Sequence, residues 1–326
     1  MKQDVITALI RGEYADPQTG RPLRVPTRSV TIAKDLQEME AECVAALNMG
    51  RRLAVVSDSS TWQAMGQRIE KSLASIARIQ PVHLGEKPHP DMATIDLLRN
   101  ETADADGLIA VGSGTINDLC KYASACDDKP YAVFATAPSM NGYTSVNASI
   151  TVNGMKKTLP ARGALAVYID LSVLAQAPPR LIRSGLGDSV CRSTAQADWL
   201  LAHLLFDKPY REAPFAMLAE YEVDLFTHSD ALIQGDLEVM ALLACTLVVS
   251  GFGMTICGGS EPASQGEHLI SHVIEMLADP AWPVTFHGEQ IGVTTLTMAG
   301  LQEKIITGGP PYVRPGTVKK IGRAHV

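Results

Sequence analysis

Three histidines fall within twenty residues in the last third of the chain: His268 and His272 in GEHLISH, and His287 at the head of HGEQ. The i, i+4 spacing of the first two places both on one face of a helix, while His287 opens a loop or the next helix. Two imidazoles and a carboxylate from elsewhere make a three-ligand metal site with one position left for a substrate. The turn SGLGDSVCR offers such a carboxylate in Asp188. A pair of hydrogen-bonded core histidines has the same spacing, so the pattern alone leaves both readings open.

A second chemical feature lies upstream. VGSGTIND, Val111 to Asp118, sits where an apolar run ends and a helical pattern begins. Gly112 and Gly114 let the main chain approach an anion there, and the free N–H groups of a new helix face it, which is how a phosphate is cradled. The G-x-G-x-x-G fingerprint is absent, and a tight turn that binds nothing has the same composition. Asp58 in AVVSDSS closes the preceding apolar run, where a carboxylate can accept hydrogen bonds from a ribose or cap a helix.

These residues need elements to carry them. RRLAVVSDSS and DGLIAVGSG are short apolar runs ending in small polar residues, and each is followed by a helical pattern, TWQAMGQRIEKSLASI and TINDLCKYASAC. Two strand-turn-helix units in series predict a parallel sheet with crossover helices. PYAVFATAPS reads as a third buried strand, and GALAVYIDLSVLAQAPPR as a fourth that ends in a double proline. Beyond Pro179 the period is helical, with no strand expected until the end. A domain boundary is therefore expected near residue 178, with an α/β nucleotide-type domain over 1–178 and an all-α domain over 179–326. The last six residues, IGRAHV, follow GGPPYVRPGTVKK abruptly and match the translation of a sequencing adapter. Residues 321–326 are expected to be a non-native tail on a C-terminally truncated chain, and His325 carries no weight.

Composition narrows the function classes. With 326 residues, 46% of them hydrophobic, the chain can bury a large core in two domains. A net charge of −7 with no Lys/Arg-rich run provides no footprint for nucleic acid. Apolar runs such as MALLACTLVVSGFGM are broken by Gly, Ser or Thr, so no membrane span or membrane partner is expected. The N-terminus shows no secretion signal, and six cysteines without a C-x-x-C pair read as reduced thiols; the cytoplasm is the expected compartment.

GSGTINDLCKYAS, ATAPSMNGYTS, GLGDSVCRSTAQADW, SEPASQGEHLISHVIEM and HGEQIGVTT occur in this order along the chain. In order and spacing they resemble the bacterial-type sn-glycerol-1-phosphate dehydrogenases, within the superfamily of iron-type alcohol dehydrogenases, glycerol dehydrogenases and dehydroquinate synthases. The resemblance runs from about residue 30 to residue 305. It implies a dehydroquinate-synthase-like fold: an N-terminal Rossmann-like domain, a C-terminal helical domain, and NAD(P)H and one divalent metal ion, zinc first and nickel or iron as alternatives, in the cleft between them. By the same resemblance Asp188, His268 and His287 are the metal ligands, and His272 faces the substrate and shares the catalytic role with Asp188. Asp58 sits on the adenine ribose, and Gly112 with Gly114, Thr115, Ile116, Asn117 and Asp118 on the pyrophosphate. Thr136, Ser139 and Ser145 line the nicotinamide side. Asn141 touches substrate and stands where many relatives carry Asp. Lys156, Lys157 and Arg162 in GMKKTLPARG are the nearest cations for a phosphorylated substrate, or solvated surface charges.

The implied reaction interconverts dihydroxyacetone phosphate and sn-glycerol 1-phosphate, in a homo-oligomer. Glycerol or another polyol is the alternative substrate. A dehydroquinate-synthase-like lyase is a more distant alternative, since those enzymes usually have Glu where Asp188 stands and Lys where this chain has Asn147.

Overall fold

The computed structural model describes residues 4–279 and 281–309; the expected tail at 321–326 and His325 lie outside them. The principal strands are β1 (Ser29–Ala33), β2 (Arg52–Ser57), β3 (Arg78–His83), β4 (Gly107–Gly112), β5 (Tyr131–Ala135), β6 (Asn147–Val152), β7 (Met155–Pro160) and β8 (Ala166–Asp170). Six of them form one wholly parallel sheet in the order β1-β8-β5-β4-β2-β3. Parallel pairing puts every strand's C-terminal end at one edge. The order reverses between β2 and β4, because the chain leaves β2 for the outer strand β3 and returns on the other side. Ligands of open α/β sheets bind at that edge and at that reversal.

The four predicted strands are β2, β4, β5 and β8, and their sequences explain why they were visible. All of β4, β5 and β8 and nearly all of β2 are buried, so both faces are apolar and the runs are continuous. One face packs Val55, Ile109, Phe134 and Tyr168 against Val44, Ile69 and Leu73. The other packs Ala54, Leu108, Ala110 and Val133 against Ile116 and Leu119, and continues without a break to Leu247, Val248 and Phe252. Each large side chain buried this way stabilises the fold by about 1.5–3 kcal/mol.

The expectations omitted β1, β3 and the antiparallel hairpin β6–β7. β3, sequence RIQPVH, is half exposed, with Pro81 opposite Val55; a proline is tolerated because the strand lies at the sheet edge. GMKKTLPARG, for which the sequence reading names only candidate cations, is mostly β7. The hairpin turns at Asn153 and Gly154, both at positive φ, the backbone that an Asn-Gly pair adopts most readily.

Every regular element after β8 among the described residues is helical. With α1 (Gly114–Cys126) in the sheet half, the main helices are α2 (Pro179–Val190), α3 (Arg192–Phe206), α4 (Ala213–Thr227), α5 (Leu237–Cys257), α6 (Gly266–Leu277) and α7 (His287–Thr307). Pro179 takes the first position of α2, where its missing N–H costs nothing. α5 is capped by the Asp236 carboxylate and stopped by Gly258 at positive φ. It is longer than the interrupted apolar run suggested, and by length and composition alone could cross a membrane. Its most apolar window is 67% buried in the fold, the setting of a core helix.

Candidate active site

A cavity of about 410 Å³ lies where the C-terminal edge of the sheet, the hairpin β6–β7 and the helices meet. Gly114, Thr115, Asp118, Asn141, Ser145, Asp188, His268, His272 and His287 all line it. Asp58, Gly112, Ile116, Asn117, Thr136 and Ser139 do not.

The ligand atoms of Asp188, His268 and His287 lie within 4.8 Å of one another. Their helices are brought together by residues without side chains. A Cβ on Gly187 would collide with the carbonyl of Gly288, and one on Gly288 with the carbonyl of Ser184, so the start of α7 rests on α2 backbone to backbone. Ser184 fastens this contact: its hydroxyl accepts the Gly288 N–H at 3.1 Å and donates to the Ser139 carbonyl at 3.1 Å. The result sets His287 Nε2 3.7 Å from Asp188 Oδ1, with the His268 and His287 ring centroids 5.1 Å apart.

Each donor is prepared for a cation. Asp188 Oδ2 accepts the Asn141 N–H at 2.9 Å, while Oδ1 is buried with no hydrogen-bond partner. His287 Nδ1 is buried and equally unpartnered. Glu267 Oε1 lies 2.9 Å from His268 Nδ1, which fixes the proton there and leaves Nε2 as a lone-pair donor. Burial raises the Asp188 pKa against the lowering influence of His268 and the Asn141 N–H. Burial, then the electrostatic influence of His268 and Lys156, holds the His287 pKa well below that of an ordinary imidazole, which favours the neutral ring, the form that ligates. A buried carboxylate oxygen without a donor, as Asp188 Oδ1 is, is costly unless a cation satisfies it. The three side chains therefore fit a divalent ion.

Cys191, Glu267 and His268 form a second candidate grouping. Its sulfur is less suited: burial pushes the Cys191 thiol pKa well above the usual range, and Sγ lies 3.2 Å from the Asp188 carbonyl as a donor. Glu267 is also committed. Burial raises its pKa, but hydrogen bonds from His268 and the Gln265 N–H outweigh this, and the net shift is downward.

On the sheet side, β4 ends at Gly112 and α1 begins at Gly114. Gly112 is required by the turn itself, since a Cβ there would strike Ile116. Gly114 instead faces open space, with only Met140 at ordinary contact distance. Ile116 is a core side chain, so it offers a ligand only its main-chain N–H. Asn117 is fully buried, 3.4 Å from the Gly142 carbonyl. Thr136 follows β5, its N–H bonded to the Gly112 carbonyl at 3.2 Å. Asp58 lies just past β2, beside the reversal, and caps the next short helix by accepting the Thr61 N–H at 2.8 Å. The cap role of this aspartate is thus real.

Two lysines deserve separate mention. Of the three cations named from the sequence, Lys156 lines the cavity; Lys157 does not, and Arg162 pairs with Asp128. Lys121 was overlooked. It is fully buried, donating to the Gly142 carbonyl at 2.5 Å, the Asn147 carbonyl at 2.9 Å and Ser145 Oγ at 3.1 Å, and lies 3.4 Å from Asp118 Oδ1. Burial lowers its pKa, opposed by Asp118. The signal was a lone lysine among the apolar positions of α1. It ties α1 to the loop that carries Asn141 and Ser145.

A family model for iron-containing alcohol dehydrogenases matches residues 31–178. The glycerol-1-phosphate dehydrogenase (NAD(P)+) of Thermococcus sibiricus is 32% identical over 276 residues, 84% of this chain and 77% of that one. Its namesake from Geobacillus stearothermophilus is 33% identical over 283 residues, 83% of this chain and 69% of that one. Among solved structures, glycerol dehydrogenase from Schizosaccharomyces pombe superposes with a TM-score of 0.66 at 18% identity, over 85% of this chain and 71% of that one. That likeness extends to the fold: a parallel α/β half of Rossmann type followed by a helical half, the dehydroquinate-synthase-like arrangement. With a third of its residues shared along most of its length, the chain belongs to the glycerol-1-phosphate dehydrogenase family.

Proposed function

We propose that the protein is a metal-dependent NAD(P)H oxidoreductase that interconverts dihydroxyacetone phosphate and sn-glycerol 1-phosphate. The observation that carries this reading is the meeting, in one cavity, of three prepared metal donors, a helix N-terminus at a glycine turn and one lysine. When bound, a divalent ion supplies Lewis-acid stabilisation of charge on the substrate oxygen, and the nicotinamide supplies or accepts the hydride.

The chain's own residues do the rest. Asp188, His268 and His287 hold the ion, and the Asn141 N–H and the Glu267 carboxylate keep two of these ligands in one orientation. The free N–H groups of Gly114 and Thr115 at the start of α1 hold the pyrophosphate, with Asp58 toward the ribose. His272, one turn beyond His268 and 29% exposed, can pass a proton between the substrate oxygen and water. Met140, Met254 and Ala263 give the cavity its apolar wall, which limits competing water.

Zinc is the ion we assign, because two imidazoles and one carboxylate with an open position are a common catalytic zinc set. NADH is the preferred cofactor in this reading, since the Asp58 carboxylate repels a 2′-phosphate. Exposed apolar side chains on α3, α6 and α7, among them Leu204, Phe206, Leu277 and Leu296, support a homo-oligomer. Six free cysteines suit a reducing cytoplasm. We place the division between the two domains near residue 178, where α2 begins. The test of function is steady-state NADH and NADPH oxidation with dihydroxyacetone phosphate and with free dihydroxyacetone. The phosphorylated ketone should be reduced with the higher kcat/KM. Equal kcat/KM values would favour a polyol dehydrogenase.

A further inference from the structure

Lys156 is the one Lys or Arg among the described residues that line the cavity. It projects from β7, and its Nζ lies 3.1 and 3.4 Å from the two carboxylate oxygens of Glu275 on α6. Glu275 is three residues beyond His272, and its Oε2 also lies 3.5 Å from His272 Nδ1. One carboxylate thus links the hairpin to the helix that carries His268 and His272.

The position of this pair is electrostatically unusual. The Lys156 charge is felt at both Asp188 and His287, so an ammonium stands close to the place prepared for a divalent cation. Two cations at one site repel unless an anion lies between or beside them. Glu275 supplies that anion. The pair is partly open to solvent, with Lys156 36% and Glu275 25% exposed, and ion pairs this exposed are weakly held. A phosphate offers more charge and three acceptor oxygens, which makes it a stronger partner than a carboxylate already shared with a histidine.

Building on the phosphorylated-triose reading, we propose that Lys156 recognises the substrate phosphate and that Glu275 is its resting partner, exchanged for the phosphate on binding. Glu275 is then a positioning residue: it holds the ammonium at the cavity when no phosphate is there, and the exchange leaves its carboxylate to His272. Selection of a phosphorylated over a neutral triose follows from the exchange, because a neutral substrate cannot displace the carboxylate.

Inorganic phosphate is the probe, titrated calorimetrically into the full chain, with thermal melting of each variant as the folding control. Lys156→Met should weaken phosphate binding by about tenfold or more, and Lys156→Arg should retain it. Glu275→Gln, which removes the competing carboxylate, should tighten binding several-fold, and the double variant should behave like Lys156→Met. Unchanged binding in a folded Lys156→Met, or Glu275→Gln binding no tighter than wild type, overturns the exchange. In parallel, Lys156→Met should lower kcat/KM for dihydroxyacetone phosphate by a larger factor than for free dihydroxyacetone. If the phosphate titrations follow the expected pattern but the wild type does not prefer the phosphorylated ketone, the functional reading fails and the exchange stands. If the wild type does prefer it while Lys156→Met binds phosphate normally, the exchange fails and the function stands.

Discussion

The two walls of the cavity are built in different ways. On the sheet side the chemistry comes from one stretch of chain, Gly112 to Asp118, and the strand beneath it is wholly buried. In the proposed reading the anion-binding groups are main-chain N–H groups, fixed once the turn and the first helical residues form. On the helical side the donors come from α2, α6 and α7, and they meet because Gly187 and Gly288 allow two backbones to touch. The outer surface of that half is apolar and open, with Leu204, Phe206, Leu296 and Ile306 each more than two-thirds exposed. The proposed cofactor turn is therefore a local property of the sequence, and the proposed metal site a tertiary one that depends on how three helices are held.

If that contrast holds, each wall can be disabled separately. Asp188→Asn keeps the shape of the side chain and removes the charge that an ion needs. Turnover should fall by roughly 10²–10⁴, the equivalent of several kcal/mol of lost charge stabilisation, with loss of bound metal. NADH affinity, measured by fluorescence, should stay close to that of the wild type because the glycine turn is untouched. Parallel loss of NADH binding would mean that the two walls are not independent.

A smaller effect is expected one layer out. Glu267→Gln removes the carboxylate that orients His268 while leaving all three ligands in place, and metal affinity should fall about 10–100-fold. Full occupancy at wild-type affinity would show that the Glu267 contact serves packing only. The smallest effect belongs to the sheet side. Asp58→Ala should raise the NADPH to NADH ratio of kcat/KM without altering metal content. It should also cost about 1 kcal/mol of stability through the lost helix cap, measurable by denaturant unfolding. An unchanged cofactor ratio beside that stability loss would leave Asp58 with its cap role alone.

The same contrast explains what could be read before the fold was known. Strands β2, β4, β5 and β8 announce themselves because both of their faces are buried, and the turn at Gly112 to Gly114 is visible because strand, glycines and helix are contiguous. β3 was hidden by its edge position, where Arg78, Gln80 and Pro81 break the apolar pattern. β7 was hidden by its two lysines, Lys156 exposed and Lys157 half-buried, although Asn153-Gly154 was a legible hairpin signal. The i, i+4 histidines could not decide between ligands and core residues, and Asp188 was only a candidate, because pairing across α2, α6 and α7 has no local signature. The burial of Lys121 and the Lys156–Glu275 pair are tertiary, and the Glu267 contact, although it joins sequence neighbours, lies on a buried helix face that periodicity alone does not reveal.

The most direct test of the metal assignment is the visible absorption spectrum of the protein loaded with cobalt(II), a spectroscopic stand-in for zinc. Coordination by Asp188, His268 and His287 should give one cobalt per chain, d–d bands, and no thiolate-to-metal charge-transfer band. Those bands should vanish in Asp188→Asn and in His287→Ala and persist in Cys191→Ser. A charge-transfer band that survives Asp188→Asn and His287→Ala but is lost in Cys191→Ser would place the ion on Cys191, Glu267 and His268 instead, and would contradict the account.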